Sequence, residues 1–212
     1  MLLHGATVPP RRATDKPDLW TVRHGPSRCA SLPDVQVVLG HGASGTAASM
    51  RPHVDGLRAR GIEARAIDLP KRKAEQAVAA YLQASGEGPD VVIGGHSYGG
   101  RVASLLAAGV DGVPHSFGGL VLFSYPLHRP GAAEWEPRTR HWADIGCPVL
   151  FLSGESDAFA QIDLLREAIA TRLPQATLVT YPRLGHGLLP VLEDALDRVA
   201  AWLVALEGST PS

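Results

Sequence analysis

The chain has 212 residues, 45% of them hydrophobic and 19% charged, a balance that supports a buried core and fits one α/β domain. A formal net charge of −1 and a pI near 6.8 leave none of the basic excess that a nucleic-acid binder carries. No apolar run approaches the roughly 20 residues needed to span a bilayer, and the first residues lack the basic and long apolar regions of a signal peptide. Neither a nucleic acid nor a membrane is therefore expected as a partner, and the cytoplasm is the expected location.

In chain order, residues 1–34 read as an irregular lead-in with one candidate strand at 19–22. Residues 35–39 form a β-branched apolar run ending at Gly40, as a buried parallel strand does. A helix over 50–60 stops at Gly61, a strand follows over 62–67, and an Ala-rich helix over 74–84. The third strand covers 90–93 and leads into a helix over 98–108. Strands at 120–123, 148–152 and 176–181 complete the set, with helices over 161–172 and 188–206 after the last two. Such alternation predicts a mostly parallel central sheet with helices on both faces, in one domain over residues 1–212. An insertion at 125–146 carries several Pro and Trp, and 208–212 reads as a tail. Cys29 and Cys147 form no paired motif and read as two unlinked thiols.

In an open parallel sheet, chemistry collects at the carboxyl ends of the strands. After the third strand stands Gly95-His96-Ser97-Tyr98-Gly99, a Gly-x-Ser-x-Gly string that suits a nucleophilic serine on a sharp strand-to-helix turn. A serine hydroxyl needs a base, and His186, between Gly185 and Gly187, follows the sixth strand. The base needs a carboxylate to orient it, and Asp157 follows the fifth strand, with Glu155 as its nearest rival and Asp163 a distant one. The order Ser97, Asp157, His186 places them after the third, fifth and sixth strands in turn. Taken singly, Asp157 could be a helix cap and His186 a loop residue; their joint occurrence points to a triad. The backbone N–H groups of Tyr98 and Ala43 are the expected oxyanion donors. His41, Ser44, Tyr125, His128 and Trp135 are candidate substrate contacts, His96 is expected beneath the elbow, and Arg101 either binds a substrate carboxylate or forms a structural ion pair.

These residues resemble the α/β-hydrolase superfamily over roughly residues 35–206. More narrowly, Gly40-His41-Gly42-Ala43, Gly99-Gly100-Arg101-Val102-Ala103 and Tyr125-Pro126-Leu127-His128-Arg129-Pro130-Gly131 are similar to a lidless branch. That branch contains dienelactone-hydrolase-like proteins and homologues of testis-expressed protein 30. The resemblance implies a minimal hydrolase fold without a large cap, its site open or roofed only by 125–146. Dienelactone hydrolases proper use a Cys nucleophile where this chain has Ser97, which argues against their lactone chemistry. The expected function is that of a carboxylesterase-like serine hydrolase acting on an ester or thioester of a small soluble molecule, with no cofactor.

Two other readings stand beside it. A hydrolase fold can be retained as a scaffold. The loop Gly40-His41-Gly42-Ala43-Ser44-Gly45 also satisfies the dinucleotide-binding Gly-x-Gly-x-x-Gly string, with Asp68 ending the next strand. The nine histidines show no metal-ligand spacing, so no metal is expected.

Overall fold

The computed structural model describes residues 35–132 and 134–208. The candidate strand at 19–22, Cys29 and residues 209–212 lie outside that range. Among the described residues, six parallel strands form one sheet in the order β2-β1-β3-β4-β5-β6: β1 Gln36–Gly40, β2 Glu63–Ile67, β3 Gly88–His96, β4 Phe117–Phe123, β5 Val149–Gly154 and β6 Thr177–Tyr181. The interior strands are buried and apolar over most of their length because both faces are covered, β3 being exposed only at Pro89 and Asp90, whereas edge strands β2 and β6 are half-buried.

Alternate side chains on each strand enter two separate cores. Val38, Ile93, Leu120, Leu122 and Phe151 pack on one face, beneath α2 (Val78–Ser85), α3 (Tyr98–Ala107) and α5 (Ile162–Arg172). Val37, Leu39, Val92, Val121 and Leu150 pack on the other, beneath α1 (Arg51–Ala59) and α6 (Leu192–Glu207). The buried Tyr81 hydroxyl of α2 sits 2.7 Å from the Val38 carbonyl and 2.6 Å from that of Gly94, and accepts the Gly94 N–H at 3.0 Å. It thereby ties the helix to β1 and β3.

Three expected helices each begin with a 3-10 turn, at Ala47–Met50, Ala74–Ala77 and Leu189–Val191. Strands β3 and β4 are longer than their apolar runs because glycines lie inside them. A Cβ on Gly94 would overlap the Val121 carbonyl of β4, and one on Gly118 would overlap the Pro89 carbonyl of β3. The insertion at 125–146 folds into α4 (Glu136–Thr139) and a 3-10 turn at Arg140–Asp144. Its Trp142 is fully buried and meets Tyr125 and Phe151 at ring distances of 5.2 and 5.1 Å. The insertion is thus largely an extension of the core, and only Pro126 and Arg138 of it reach a cleft beside Ser97. Among the described residues, no helix is long and apolar enough to cross a membrane.

Candidate functional site

The strand order reverses between β1, flanked by β2, and β3, which continues toward β6. Loops leaving the carboxyl ends of β1 and β3 diverge there and open a crevice. Ser97 sits at that point with φ 51° and ψ −111°, a conformation costing about 1–3 kcal/mol that the surrounding packing must hold. The glycines around it make the turn possible. A Cβ on Gly95 or Gly99 would overlap the backbone of Gly40, so only glycine lets α3 start against the end of β1. The turn is locked by Ser97 N–H to the Phe123 carbonyl (2.9 Å) and Gly99 N–H to the His41 carbonyl (3.0 Å).

The loops after β5 and β6 are joined in the same way. Glu155 N–H donates to the Tyr181 carbonyl at 3.0 Å and Ser156 N–H to the Leu184 carbonyl at 2.8 Å. Gly154 lies so close to the backbone of Leu184 and Gly185 that a side chain there would collide with it. This contact delivers Asp157 and His186 to one another. His186 Nδ1 lies 2.8 Å from Asp157 Oδ2, and His186 Nε2 lies 2.8 Å from Ser97 Oγ. The Asp157 carboxylate is fully buried, and its Oδ1 accepts the Phe159 N–H at 2.8 Å. With Nδ1–H held by a carboxylate, an imidazole presents a bare Nε2 that can take a hydroxyl proton. Glu155 points elsewhere and accepts the Thr180 hydroxyl at 2.8 Å, while Asp163 pairs with Arg166 on the surface.

Two cavities flank Ser97 and share Ala43, Ser97 and Phe159. The larger, about 470 Å³, is lined by His186 and by apolar residues including Met50, Leu188 and Leu189. The smaller, about 300 Å³, is lined by Tyr98, Pro126 and four cationic side chains. Ala43 lies exposed where the two meet, and Tyr98 is the first residue of α3, where an N–H has no intrahelical acceptor.

Of the expected substrate contacts, Ser44 lines the larger cavity, but four others are displaced into the core. His41 Nδ1–H donates to the Gly42 carbonyl (2.7 Å) and Nε2 accepts the Leu69 N–H (3.0 Å), so its ring pins the loop after β1 to the loop after β2. Tyr125 is buried and donates to the Arg138 carbonyl at 2.7 Å. His128 accepts the Gln161 N–H at 3.0 Å and donates to the Arg129 carbonyl at 2.8 Å. Trp135 is buried under the Arg172 guanidinium, 5.6 Å from the ring centre. None of these four lines either cavity; each is buried, and the two histidines and Tyr125 are bonded to loop backbone.

Arg101 forms the structural ion pair, with Glu75 at 2.8 Å, and also donates to the Arg138 carbonyl at 3.1 Å. His96 flanks the site instead of lying beneath it: Nε2 is 3.1 Å from the His186 carbonyl and the two rings are 5.2 Å apart. Burial lowers the His96 pKa, while the hydrogen bond to the His186 carbonyl works against that shift.

Two residues of the site escape a reading of the sequence. Phe159 packs against His186 at 4.5 Å, the rings tilted by 41°, and lines both cavities; its only local signal is a place two residues after Asp157. His53 comes from α1, where it reads as a helix-face residue, yet its ring lies at the floor of the larger cavity against Phe123. Among the described residues no group of three or more His, Cys, Asp or Glu is placed to hold a metal.

In fold, the chain is similar to a monoacylglycerol lipase from Paleococcus ferrophilus, at 16% identity and a TM-score of 0.66 over 82% of this chain and 96% of that one. It is similar to the thioesterase domain from the curacin biosynthetic pathway at 15% identity and a TM-score of 0.61, over 82% and 92% of the two chains. A pyrethroid hydrolase from Sphingobium faniae matches at 17% identity and a TM-score of 0.61, over 81% and 98%. No curated protein matches the sequence. The sequence pattern of the alpha/beta hydrolase domain matches residues 63–202, well over half of the chain, and the protein belongs to that family.

Proposed function

We propose that the protein is a serine hydrolase that cleaves an ester or thioester of a small soluble substrate through an acyl-enzyme at Ser97. The observation that carries this reading is the unbroken series from Ser97 Oγ through His186 to the buried Asp157 carboxylate, with 2.8 Å at each step. Ser97 attacks the carbonyl carbon while His186 Nε2 takes its proton, and Asp157 stabilises the imidazolium that results. The N–H groups of Ala43 and Tyr98 receive the oxyanion, a donor of this kind contributing about 3 kcal/mol. His186 then returns its proton to the leaving group. Water, deprotonated by the same base, releases the acid. No step requires a cofactor. The lipase, thioesterase and pyrethroid hydrolase named above support an ester or thioester as the bond broken.

The dinucleotide reading loses support from Asp68. Its carboxylate accepts the Ala47 N–H at 2.7 Å, at the start of the turn after the glycine loop, and would repel a pyrophosphate there. The scaffold reading offers no reason for a strained serine held in line with a buried His–Asp pair.

A fluorophosphonate probe with intact-mass readout tests the proposal. One adduct is expected on the parent and none on Ser97→Ala, which keeps the fold. A folded parent that takes no adduct would overturn the reading.

A further inference from the structure

The smaller cleft beside Ser97 is lined by Arg72, Lys73, Arg101 and Arg138, and the carboxylate paired there is that of Glu75, bound to Arg101 at 2.8 Å. Among the described residues, Arg72, Lys73 and Arg138 are in no ion pair. Arg138 is half-buried, and its guanidinium donates to the Pro126 carbonyl at 2.8 Å, which orients the side chain without neutralising it. Burial, then the nearby charge of Arg101, makes the Arg138 cation less favourable than an ordinary guanidinium. Like charges gathered around a hollow repel one another until an anion enters it.

The chemistry at Ser97 fixes which end of a substrate lies in that hollow. The leaving group must collect a proton from His186 Nε2, and His186 lines the larger apolar cavity but not the cationic cleft. The oxyanion is claimed by the N–H groups of Ala43 and Tyr98. One substituent of the tetrahedral carbon remains, the acyl chain, and it is left to run from Ser97 into the cationic cleft. Building on the serine hydrolase reading, we propose that the enzyme selects acyl groups that end in an oxyanion, a carboxylate or a phosphate, esterified to an apolar alcohol or thiol. Guanidinium forks suit both anions, since each offers two oxygens to parallel N–H donors. Arg72 and Lys73 stand exposed at the mouth, where they attract the anion, and Arg138 lies farther in, where it is less screened by water.

The test compares kcat/KM for three 4-methylumbelliferyl esters: hexanoate, hemiglutarate and 3-phosphonopropanoate. At low salt at least one anionic ester is expected to exceed the neutral hexanoate by about tenfold, with the margin shrinking in 0.5 M NaCl. Which of the two leads tells a carboxylate site from a phosphate site. The preference should fall severalfold in the double variant Arg72→Gln, Lys73→Gln, whose exposed positions leave folding intact, and in Arg138→Gln, and fall less in Arg138→Lys, which keeps the charge but not the fork. Arg198→Gln, on the opposite face of the sheet, should leave all rates as they are. Hydrolysis of the neutral ester with no anionic preference overturns this proposal alone. Turnover of none of the three, together with no fluorophosphonate adduct, overturns the hydrolase reading with it.

Discussion

Acid should loosen this fold well before its carboxylates titrate, through two buried histidines. His53 and His141 are 6% and 8% exposed. Burial lowers each pKa from 6.5 to about 4, with a further push from His96 on His53 and from Arg101 on His141. In the unfolded chain both titrate near the ordinary value, so between pH 6.5 and 4 the unfolded state takes up protons that the folded state refuses, and stability falls with pH. Fully developed, each displacement amounts to about 3 kcal/mol; at pH 5 about 2 kcal/mol per residue is already lost. The pair then removes about 4 kcal/mol from a domain that has about 5–15 kcal/mol in all. His115 works in the opposite sense. Burial disfavours its charge, but the Asp111 and Glu87 carboxylates outweigh that and raise its pKa, so its contribution is present in acid and lost as pH rises.

For a chain of this size about 4 kcal/mol corresponds to a fall in Tm of about 8–16 °C between pH 7.5 and 5. Calorimetry or circular dichroism on the double variant His53→Leu, His141→Gln should show that fall at least halved, whatever its Tm at pH 7.5. The amide introduced by His141→Gln keeps a partner for the Ser104 hydroxyl, which lies 2.8 Å from His141 Nε2, and the isobutyl group introduced by His53→Leu fills the space beside Phe123. An acid-induced fall of the same size in parent and double variant would refute burial of these two rings as its source.

Asp157→Asn should lower kcat by about four orders of magnitude without unfolding the protein, because an amide favours the wrong imidazole tautomer; Glu155→Gln, which touches the bond to Thr180 and the ion pair with Arg166 but not His186, should cost less than about tenfold in a steady-state ester assay. If the Glu155 change is the costlier, the orienting acid has been misassigned. Gly99→Ala should destabilise the fold by more than about 3 kcal/mol, since its methyl would meet the rigid backbone of Gly40, whereas Gly187→Ala, with open space around it, should change stability by less than about 0.5 kcal/mol. Equal urea midpoints for the two would refute the close seating of α3 on β1.

The alternation of strands and helices was legible because an interior parallel strand is apolar on both faces and stands out as a continuous run. Strand ends were not. Gly94, Gly95, Gly118 and Gly119 read locally as breaks, and only the neighbouring strand or, for Gly119, the Trp202 ring of α6 shows why no side chain fits there. The aromatics of the insertion were ambiguous for a similar reason. Tyr125 and Trp142 carry the same local signal whether they face a substrate or a core, and the Phe151 ring of β5 decides it for the core.

The residues in line with Ser97 follow a simpler logic than the walls around them. A parallel sheet brings the carboxyl ends of all its strands to one edge, so three residues placed just after β3, β5 and β6 share a neighbourhood whatever the helices between them do. Chain order and a glycine string therefore suffice to expect Ser97, Asp157 and His186 side by side, as they stand. The cationic cleft has no such shortcut. Arg72 and Lys73 come from the loop after β2, Arg101 from α3 and Arg138 from α4, and their convergence depends on how the insertion, braced inside by the Tyr125 bond to the Arg138 carbonyl, packs against α3 through the Arg101 bond to the same carbonyl. The reaction proposed is thus read from short local strings tied to the sheet, while the substrate preference proposed rests on the packing of separate elements. Changes that move α4 should consequently alter which ester is cleaved before they alter whether one is.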